Sequence, residues 1–220
     1  MHDTSTLGLP PNLWIRVEKA LIKLFSDKVY VKANTIMSLG LDSYMRNLVM
    51  NSLSGSVLDI GCGDCHYYED YPNLEMICVD PVFPPRKEVF IKSCNKHRIV
   101  GVAEYLPLRS GSIDSVIAFF SFRDFLNKAS AIINMRKVVK KNICIVDIFQ
   151  PKGLRRLLLY IHLLIIAPLL ARIVSRGKDY KWNMLYETIL YMPSTEGLIR
   201  LTRSYYHKSI GGFLSIICFR

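Results

Sequence analysis

A short apolar run that ends in a glycine-rich turn constrains this 220-residue chain more than any other feature. Residues 56–64 read SVLDIGCGD, so the run closes with the pattern D-x-G-x-G. A continuous run of β-branched and aliphatic residues predicts a strand that is buried on both faces. Glycine lets the chain bend sharply and lets a ligand approach bare backbone N–H groups. The pattern therefore predicts a buried strand followed by a tight, ligand-binding turn.

Four further apolar runs follow, at residues 76–80, 99–104, 115–120 and 143–149. A helical pattern of apolar residues precedes the last run and predicts a crossover helix, marked by Ile132, Met135, Val138 and Val139. Strands that alternate with helices predict an α/β fold with a doubly wound, Rossmann-like, mostly parallel sheet covered on both faces. Gly211 and Gly212 separate two more strand-like runs, which predicts an antiparallel hairpin near the C-terminal end.

An acidic residue at the end of the second predicted strand supports the ligand-binding interpretation. Asp80 lies about 20 residues after Gly61, where a carboxylate can accept hydrogen bonds from both hydroxyls of a ribose. A dinucleotide pyrophosphate requires G-x-G-x-x-G, and here His66 occupies the third glycine position. The departure favours a cofactor without a pyrophosphate, such as S-adenosylmethionine. Ala103-Glu104 after the third predicted strand strengthens that assignment.

The charge balance favours an anionic partner without choosing one. Lys and Arg outnumber Asp and Glu by 29 to 18, for a net charge of +11. Such a surplus suits nucleic acid, a phosphate-bearing cofactor or an anionic lipid surface. The basic residues are scattered, with no stripe in which they alternate with aromatic residues. We therefore do not expect a nucleic acid partner.

Residues 157–171 read LLLYIHLLIIAPLLA and form the strongest membrane candidate. A run of this length is short of the roughly 20 residues that cross a bilayer, and it contains His162 and Pro168. Arginines flank it on both sides, at positions 155, 156, 172 and 176. This pattern favours a buried helix, a lid over a pocket or a helix at a membrane interface over a spanning helix. The N-terminal sequence predicts no secretory signal.

Six cysteines are spread along the chain, at positions 62, 65, 78, 94, 144 and 218. Cys78, Cys144 and Cys218 lie in predicted strands, where a reduced, small apolar side chain is expected. Cys62, Cys65 and His66 match the C-x-x-C-H spacing of covalent haem attachment, and a redox or zinc site is a further alternative. The cofactor turn accounts for the same residues better, and we expect no metal.

These residues resemble the class I S-adenosylmethionine-dependent methyltransferases, and more narrowly the ubiquinone/menaquinone biosynthesis C-methyltransferases (UbiE type). The narrower resemblance rests on FSDKVYVKANTIMSLGLDSYMRNLV (25–49), GVAEYLPLRSGSIDSVIAFFSFRDF (101–125) and KWNMLYETILYMPSTEGL (181–198). It covers roughly residues 22–220 and implies a seven-stranded sheet. It also implies an N-terminal helical cap over the active site (1–50) and a methyltransferase domain (51–220) with an apolar lid or interfacial helix at about 154–176.

The resemblance implies which residues hold the cofactor. Gly61, Gly63 and Asp64 would hold its methionine part, and Asp80 would hold its ribose. The adenine would lie against Val102 and Ala103, although Val102 replaces the Asp or Asn of many family members. The complete cofactor set is Asp59, Gly61, Gly63, Asp64, Asp80, Val102, Ala103 and Phe119, of which Phe119 would line the sulfonium.

The resemblance also places four residues at the reacting centre: Tyr30, Asn34, Arg123 and Asp124. A quinol carbon becomes nucleophilic when a neighbouring hydroxyl loses its proton. Arg123 would stabilise the resulting phenolate or orient a water that takes the proton, and Tyr30 would hydrogen-bond the other oxygen. Asp124 replaces the family's Asn, and it is either the base itself or a structural partner of Arg123.

The implied reaction is methylation of a ring carbon of a prenylated quinol, of the demethylmenaquinol or ubiquinol type, with S-adenosylhomocysteine as the product. We expect a cytoplasmic protein with peripheral contact to the inner face of the cell membrane, and a homo-oligomer. Two alternatives stay open: an RNA (tRNA or rRNA) methyltransferase, and a membrane-associated binding protein that has lost catalysis.

Overall fold

Seven strands form one mixed sheet in this computed structural model, which describes residues 8–82, 97–176 and 183–220. The strands are β1 (Ser56–Ile60), β2 (Glu75–Asp80), β3 (Arg98–Val100), β4 (Ile113–Phe119), β5 (Val139–Ile148), β6 (Tyr206–Ile210) and β7 (Leu214–Phe219). Their order is β3-β2-β1-β4-β5-β7-β6. The first five are parallel, whereas β7 is antiparallel to both of its neighbours. The strand order reverses between β1 and β4, which is where ligands bind in open α/β sheets.

Eight α-helices accompany the sheet within the described residues. They are α1 (Pro11–Ser26), α2 (Tyr30–Met37), α3 (Leu41–Met50), α4 (Lys128–Val138), α5 (Leu154–Ile161), α6 (Ala167–Val174), α7 (Asn183–Ile189) and α8 (Thr195–Thr202). Helix α4 is the predicted crossover helix, and the side chain of Asn127 caps its N-terminus by accepting from the Ser130 N–H at 3.0 Å. Between β1 and β2 the chain forms only a single 3₁₀ turn, Tyr68–Asp70.

Two apolar cores lie on the two faces of the sheet. Because neighbouring residues of a strand point to opposite faces, Val116 and Ile145 belong to one core, while Ile117 and Val146 belong to the other. All four side chains are fully buried. The sheet is thus covered on both sides, and the doubly wound, mostly parallel α/β fold with an antiparallel C-terminal hairpin is confirmed. The hairpin turns at Gly211 and Gly212, which both have positive φ.

Two predictions about the sheet were wrong. The strand predicted over residues 99–104 is β3, which ends at Val100 because the chain turns away from β2 at Gly101. Cys78, Cys144 and Cys218 were expected to be reduced, but disulfides join Cys62 to Cys78 and Cys144 to Cys218. The antiparallel register places Cys144 directly opposite Cys218, with their Cα atoms 4.2 Å apart. Cys94 lies outside the described residues.

The apolar segment forms one continuous helix, in which a π-helical turn (His162–Ile166) joins α5 to α6. Pro168 has no N–H to donate to Leu164, which accounts for the widened turn just before it. The 21-residue helix Leu154–Val174 is the only one in the described part of the chain that is long and apolar enough to cross a membrane. One stripe of it is buried against the domain, residues beside that stripe are half-buried, and the outward side is exposed.

Candidate active site

A cleft of about 610 Å³ lies beyond the carboxyl ends of β1, β2 and β4. Helix α1 forms one wall through Trp14, Glu18 and Leu21, and α2 contributes Tyr30. The opposite wall is the chain that follows each strand. Seven residues predicted for the site line this cleft: Tyr30, Gly61, Gly63, Asp80, Val102, Ala103 and Asp124.

The glycine turn after β1 is possible only without a side chain at position 61. Gly61 has φ +76°, and a Cβ there would come within 2.3 Å of the Ser121 Cβ. Its N–H donates to the Val79 carbonyl at 2.7 Å, and the Ser121 hydroxyl donates to the Ile60 carbonyl at 2.6 Å. The loops after β1 and β4 are therefore packed directly against each other. This contact fixes the floor of the cleft.

Asp80 joins the turn to the end of β2. One carboxylate oxygen accepts from the Gly63 N–H at 2.9 Å, and the other accepts from the Val82 N–H at 2.8 Å. Burial raises the pKa of Asp80 to about 7, although both backbone hydrogen bonds lower it. Each oxygen keeps a further lone pair, so the carboxylate can also accept from the hydroxyls of a ribose in the cleft.

Three residues predicted for cofactor binding do not line the cleft: Asp59, Asp64 and Phe119. Asp59 is buried on the side of β1 that faces away from the cleft. There its carboxylate accepts hydrogen bonds from the Tyr67 hydroxyl and from the Tyr68 hydroxyl, the latter at 2.9 Å. Burial raises its pKa to about 6. The Phe119 ring packs against Tyr67. The Asp64 carboxylate pairs with the His66 ring, and its Oδ1 atom lies 2.6 Å from Nδ1. The cofactor roles of these three residues stay predictions.

A second cavity, of about 490 Å³, adjoins the cleft. It shares Leu21, Tyr30 and Asp124 with the cleft, and these three residues mark the junction. Its walls are mostly apolar, and its polar residues are Tyr30, Asn34, Arg123, Asp124 and Thr188. All four residues predicted for the reacting centre thus lie around this cavity, which we call the acceptor cavity.

The close partner of Arg123 is Asp147 on β5, a residue that the sequence reasoning missed. The guanidinium donates to one Asp147 oxygen at 2.9 Å, and the Arg123 backbone N–H donates to the other at 3.0 Å. Asp124 lies farther from the guanidinium, at 3.8 Å. Asp147 is fully buried, so it holds Arg123 in one place. A lone acid within the apolar run ICIVDIF was the signal that could have revealed it.

The environment of the junction controls which groups carry charge. Burial raises the pKa of Asp124 to about 6, although the charge of Arg123 lowers it. At neutral pH Asp124 is therefore mostly ionised and can accept a proton. Burial raises the pKa of Tyr30 to about 12, although Arg123 again lowers it, so the phenol remains a hydrogen-bond donor. Burial also lowers the pKa of nearby Lys128 to about 8.

Glu18 is a further site residue that the sequence reasoning missed. Its side chain lines the cleft from α1, and its Oε2 atom is buried without a hydrogen-bond partner in the described part of the chain. Burial raises the pKa of Glu18 to about 8, and the negative charges of Asp80 and Asp124 raise it further. In the sequence, Glu18 stands beside the apolar stripe that includes Val17 and Leu21. An acidic residue at that place was the signal that could have revealed its role.

The cleft fits a nucleoside cofactor of the predicted kind. Gly61 leaves open backbone, and Asp80 keeps acceptor capacity for a ribose. Glu18 presents a carboxyl group with an unpartnered oxygen, and a cationic group beside it would favour the ionised form. Behind the turn, the sulfur atoms of Cys62, Cys65 and Cys78 lie within 4.8 Å of one another. That no metal is needed stays a prediction.

Comparisons with known proteins find the same fold in methyltransferases. Residues 58–146 match the methyltransferase domain family. The PH0226 protein of Pyrococcus horikoshii OT3 has a similar structure, with a TM-score of 0.56 and 19% identity over 91% of this chain and 96% of that one. The 1,6-didemethyltoxoflavin-N1-methyltransferase of Burkholderia thailandensis, solved with S-adenosylhomocysteine, has a TM-score of 0.51 and 13% identity over 66% of each chain.

The plantazolicin methyltransferase BpumL, also solved with S-adenosylhomocysteine, has a TM-score of 0.50 and 16% identity over 93% of this chain and 94% of its own. No curated protein matches the sequence. These likenesses establish the class I methyltransferase fold, and the narrower resemblance to the quinone-pathway enzymes stays a prediction. The domain match and the fold together indicate an S-adenosylmethionine-dependent methyltransferase.

Proposed function

We propose that the protein methylates a ring carbon of a prenylated quinol, with S-adenosylmethionine as the methyl donor. The observation that carries this proposal is the junction at Tyr30 and Asp124, where a polar nucleoside cleft meets an apolar acceptor cavity beside a fixed arginine. An apolar cavity suits a quinol ring and the beginning of its tail. The mostly apolar lining of this cavity favours a quinol over RNA, whose backbone is charged.

The residues at the junction can activate a quinol in a defined order. Asp124 accepts the proton of one ring hydroxyl, and Arg123, held by Asp147, stabilises the phenolate that forms. The Tyr30 phenol donates a hydrogen bond to the second ring oxygen. The ring carbon would then take the donor's methyl group as the bond between that group and the sulfonium sulfur breaks, which leaves S-adenosylhomocysteine. The proton of the ring carbon would pass to water as aromaticity returns, and Asp124 would give its proton back to the ring oxygen. Alignment and exclusion of water contribute up to about 7–11 kcal/mol to such a step.

Two measurements test the proposal in sequence. Calorimetric titration with S-adenosylhomocysteine is expected to show binding that Asp80→Ala abolishes, because the ribose loses its acceptor. Transfer of a labelled methyl group to a short-chain demethylmenaquinol, kept reduced under nitrogen, is expected next. Asp124→Asn is expected to lower turnover about 10²–10⁴-fold, the usual contribution of a general base, with affinity for S-adenosylhomocysteine unchanged.

The two measurements separate the class of enzyme from its substrate. Cofactor binding without methyl transfer to any isoprenoid quinol would refute the quinol assignment and leave the methyltransferase assignment intact. Full activity of Asp124→Asn together with loss of activity in Arg123→Gln would make the arginine the main catalytic group and Asp124 a structural neighbour.

A further inference from the structure

The outward side of the helix Leu154–Val174 is an unusually apolar surface. Nine large apolar side chains along it are exposed: Leu154, Leu157, Leu158, Ile161, Leu164, Ile165, Ile166, Leu169 and Ile173. Ile165 and Ile173 are 62% and 69% exposed. A contiguous apolar patch of this kind on a soluble domain marks a site of contact with a membrane or with another protein. We refer to these nine side chains as the outer face.

The inward side of the same helix holds it along the domain. Leu159, Leu163, Ala167 and Ala171 recur every fourth residue and are all buried. Ala167 and Ala171 pack with Ala33 and Met37 of α2 in one cluster. The His162 Nε2 lies 3.1 Å from the Met37 carbonyl oxygen. The helix therefore lies on the surface of the domain with one stripe attached, so its outer face points away from the protein along its whole length.

The charges around the outer face complement an anionic surface. Arg155 and Arg156 stand at the beginning of the helix, Arg172 and Arg176 stand at its end, and all four are exposed. The sequence has no Asp or Glu from position 148 to position 178. An apolar helix face with basic residues beside it is the pattern of helices that lie in the plane of a membrane interface.

The same charges disfavour a second copy of the chain as the occupant. Because both ends of the helix carry two arginines, parallel and antiparallel pairing of two outer faces would each bring arginines together. Like charges that face each other across an interface oppose association. Lipid headgroups that carry negative charge have the opposite effect.

A third cavity connects this helix with the proposed reacting centre. It is lined by His162, Leu163 and Ala167 on the inward side of the helix, and by Arg123 at its other end. It shares Asn34, Met37, Arg123 and Leu185 with the acceptor cavity. The mostly apolar space beneath the helix thus adjoins the acceptor cavity at Arg123.

We propose that the outer face docks the protein in the plane of an anionic lipid bilayer, with the helix Leu154–Val174 parallel to the surface. In this orientation the cavity beneath the helix would give a lipophilic acceptor a route from the bilayer to the adjoining acceptor cavity and Arg123. The docking stands on the helix and its charges, whereas the route rests on the proposed function.

Sedimentation with vesicles tests the docking without any assay of activity. The protein is expected to bind vesicles of mixed phosphatidylcholine and phosphatidylglycerol, to bind phosphatidylcholine vesicles weakly, and to be released by high salt. Arg172→Gln is expected to weaken binding about fivefold, the effect of one basic residue near an anionic surface. Ile165→Glu is expected to abolish binding. The matched control is Ile133→Glu on α4, at an apolar side chain that is 66% exposed, and it is expected to leave binding unchanged.

Three results would overturn the docking proposal. The first is the absence of binding to anionic vesicles. The second is binding that resists both high salt and an alkaline wash, which would identify a spanning helix. The third is a dimer that Ile165→Glu dissociates in protein without affinity for vesicles, which would make the outer face an interface between copies.

The access route has its own test. Ile165→Glu is expected to lower turnover of a quinol carried in anionic vesicles while leaving turnover of a soluble short-chain quinol unchanged. Equal turnover of both acceptors by this variant, after loss of vesicle binding, would refute the route. If neither acceptor is methylated by the unaltered protein, the proposed function fails, and the vesicle-binding result stands independently.

Discussion

Gly61→Ala is expected to destabilise the protein more than the addition of one methyl group would suggest. The substitution has both a backbone cost and a steric cost at this position. The left-handed backbone at φ +76° costs an alanine about 1–2 kcal/mol, offset by up to about 1 kcal/mol from the less flexible unfolded chain. In addition, the new Cβ would lie 2.3 Å from the Ser121 Cβ and 2.7 Å from its hydroxyl oxygen. Overpacking of this kind costs about 1–3 kcal/mol.

The chain contains a matched control for the first cost. Gly40 has φ +77°, and an added Cβ there would meet no atom within 4 Å. Gly40→Ala is therefore expected to cost about 1 kcal/mol, against about 2–4 kcal/mol for Gly61→Ala. Urea denaturation of both variants measures the difference. Calorimetry is expected to show that only Gly61→Ala loses S-adenosylhomocysteine binding.

A double variant separates the steric cost from the backbone cost. Ser121→Gly removes the atoms that the new Cβ would strike, at the loss of one hydrogen bond to the Ile60 carbonyl, worth about 1 kcal/mol. In the Gly61→Ala background the same change removes a steric cost of about 1–3 kcal/mol, so after the lost hydrogen bond it is expected to restore a net of roughly 0–2 kcal/mol. Equal destabilisation by Gly61→Ala and Gly40→Ala, or strictly additive effects of the two changes at positions 61 and 121, would refute the reasoning.

Three further predictions concern charge and the disulfides. Burial raises the pKa of Glu18 to about 8, so the folded state binds this proton more tightly and loses stability as pH rises from about 4.5 to 8. Glu18→Gln is expected to flatten this decline when thermal unfolding is measured across the pH range. An unchanged pH profile in the variant would contradict the prediction. Because the pKa of Asp80 is about 7, its carboxylate takes up a proton between pH 8 and pH 6 and can then accept fewer hydrogen bonds from a ribose. Titration calorimetry is therefore expected to show that affinity for S-adenosylhomocysteine falls about tenfold over this range. A constant affinity would contradict the prediction. The Cys144–Cys218 disulfide closes a loop of 74 residues. The double variant with Cys144→Ser and Cys218→Ser is expected to lower the free energy of unfolding by about 4 kcal/mol, as measured by urea denaturation. A decrease of less than about 1 kcal/mol would count against the disulfide.

Local sequence patterns were sufficient to predict the sheet and the cofactor turn. The run SVLDIG, the crossover helix before β5 and the Gly211-Gly212 hairpin each depend on neighbouring residues, and the structure confirms all three. The seven-strand count came from the resemblance, not from periodicity. The end of β3 was missed because the apolar composition continues through Val102 and Ala103, whereas the pairing with β2 ends at Val100 and the Gly101 N–H, which donates to the Asp80 carbonyl at 3.3 Å.

The features that the sequence did not reveal depend on residues that are distant in the chain. Asp147 reaches Arg123 because β5 lies beside β4, and the two residues are 24 positions apart. The pairing of Cys144 with Cys218 requires the antiparallel register of β5 and β7. Glu18 enters the cleft only because α1 packs over the carboxyl ends of the strands. A single sequence carries no signal for such pairings beyond a polar residue in an apolar pattern.

The electrostatics of the cleft explain how one site can bind a methyl donor and release the product. Glu18, Asp80 and Asp124 surround the same space, and repulsion among their ionised forms helps to raise the pKa of Glu18 to about 8, so that this carboxyl group is mostly protonated at neutral pH. A ligand with a positive charge at this point lowers that repulsion, whereas a neutral ligand of the same shape does not. Transfer of the methyl group removes the positive charge of the donor. The carboxyl groups therefore favour binding of the donor over binding of the product, and this difference promotes the exchange of product for donor.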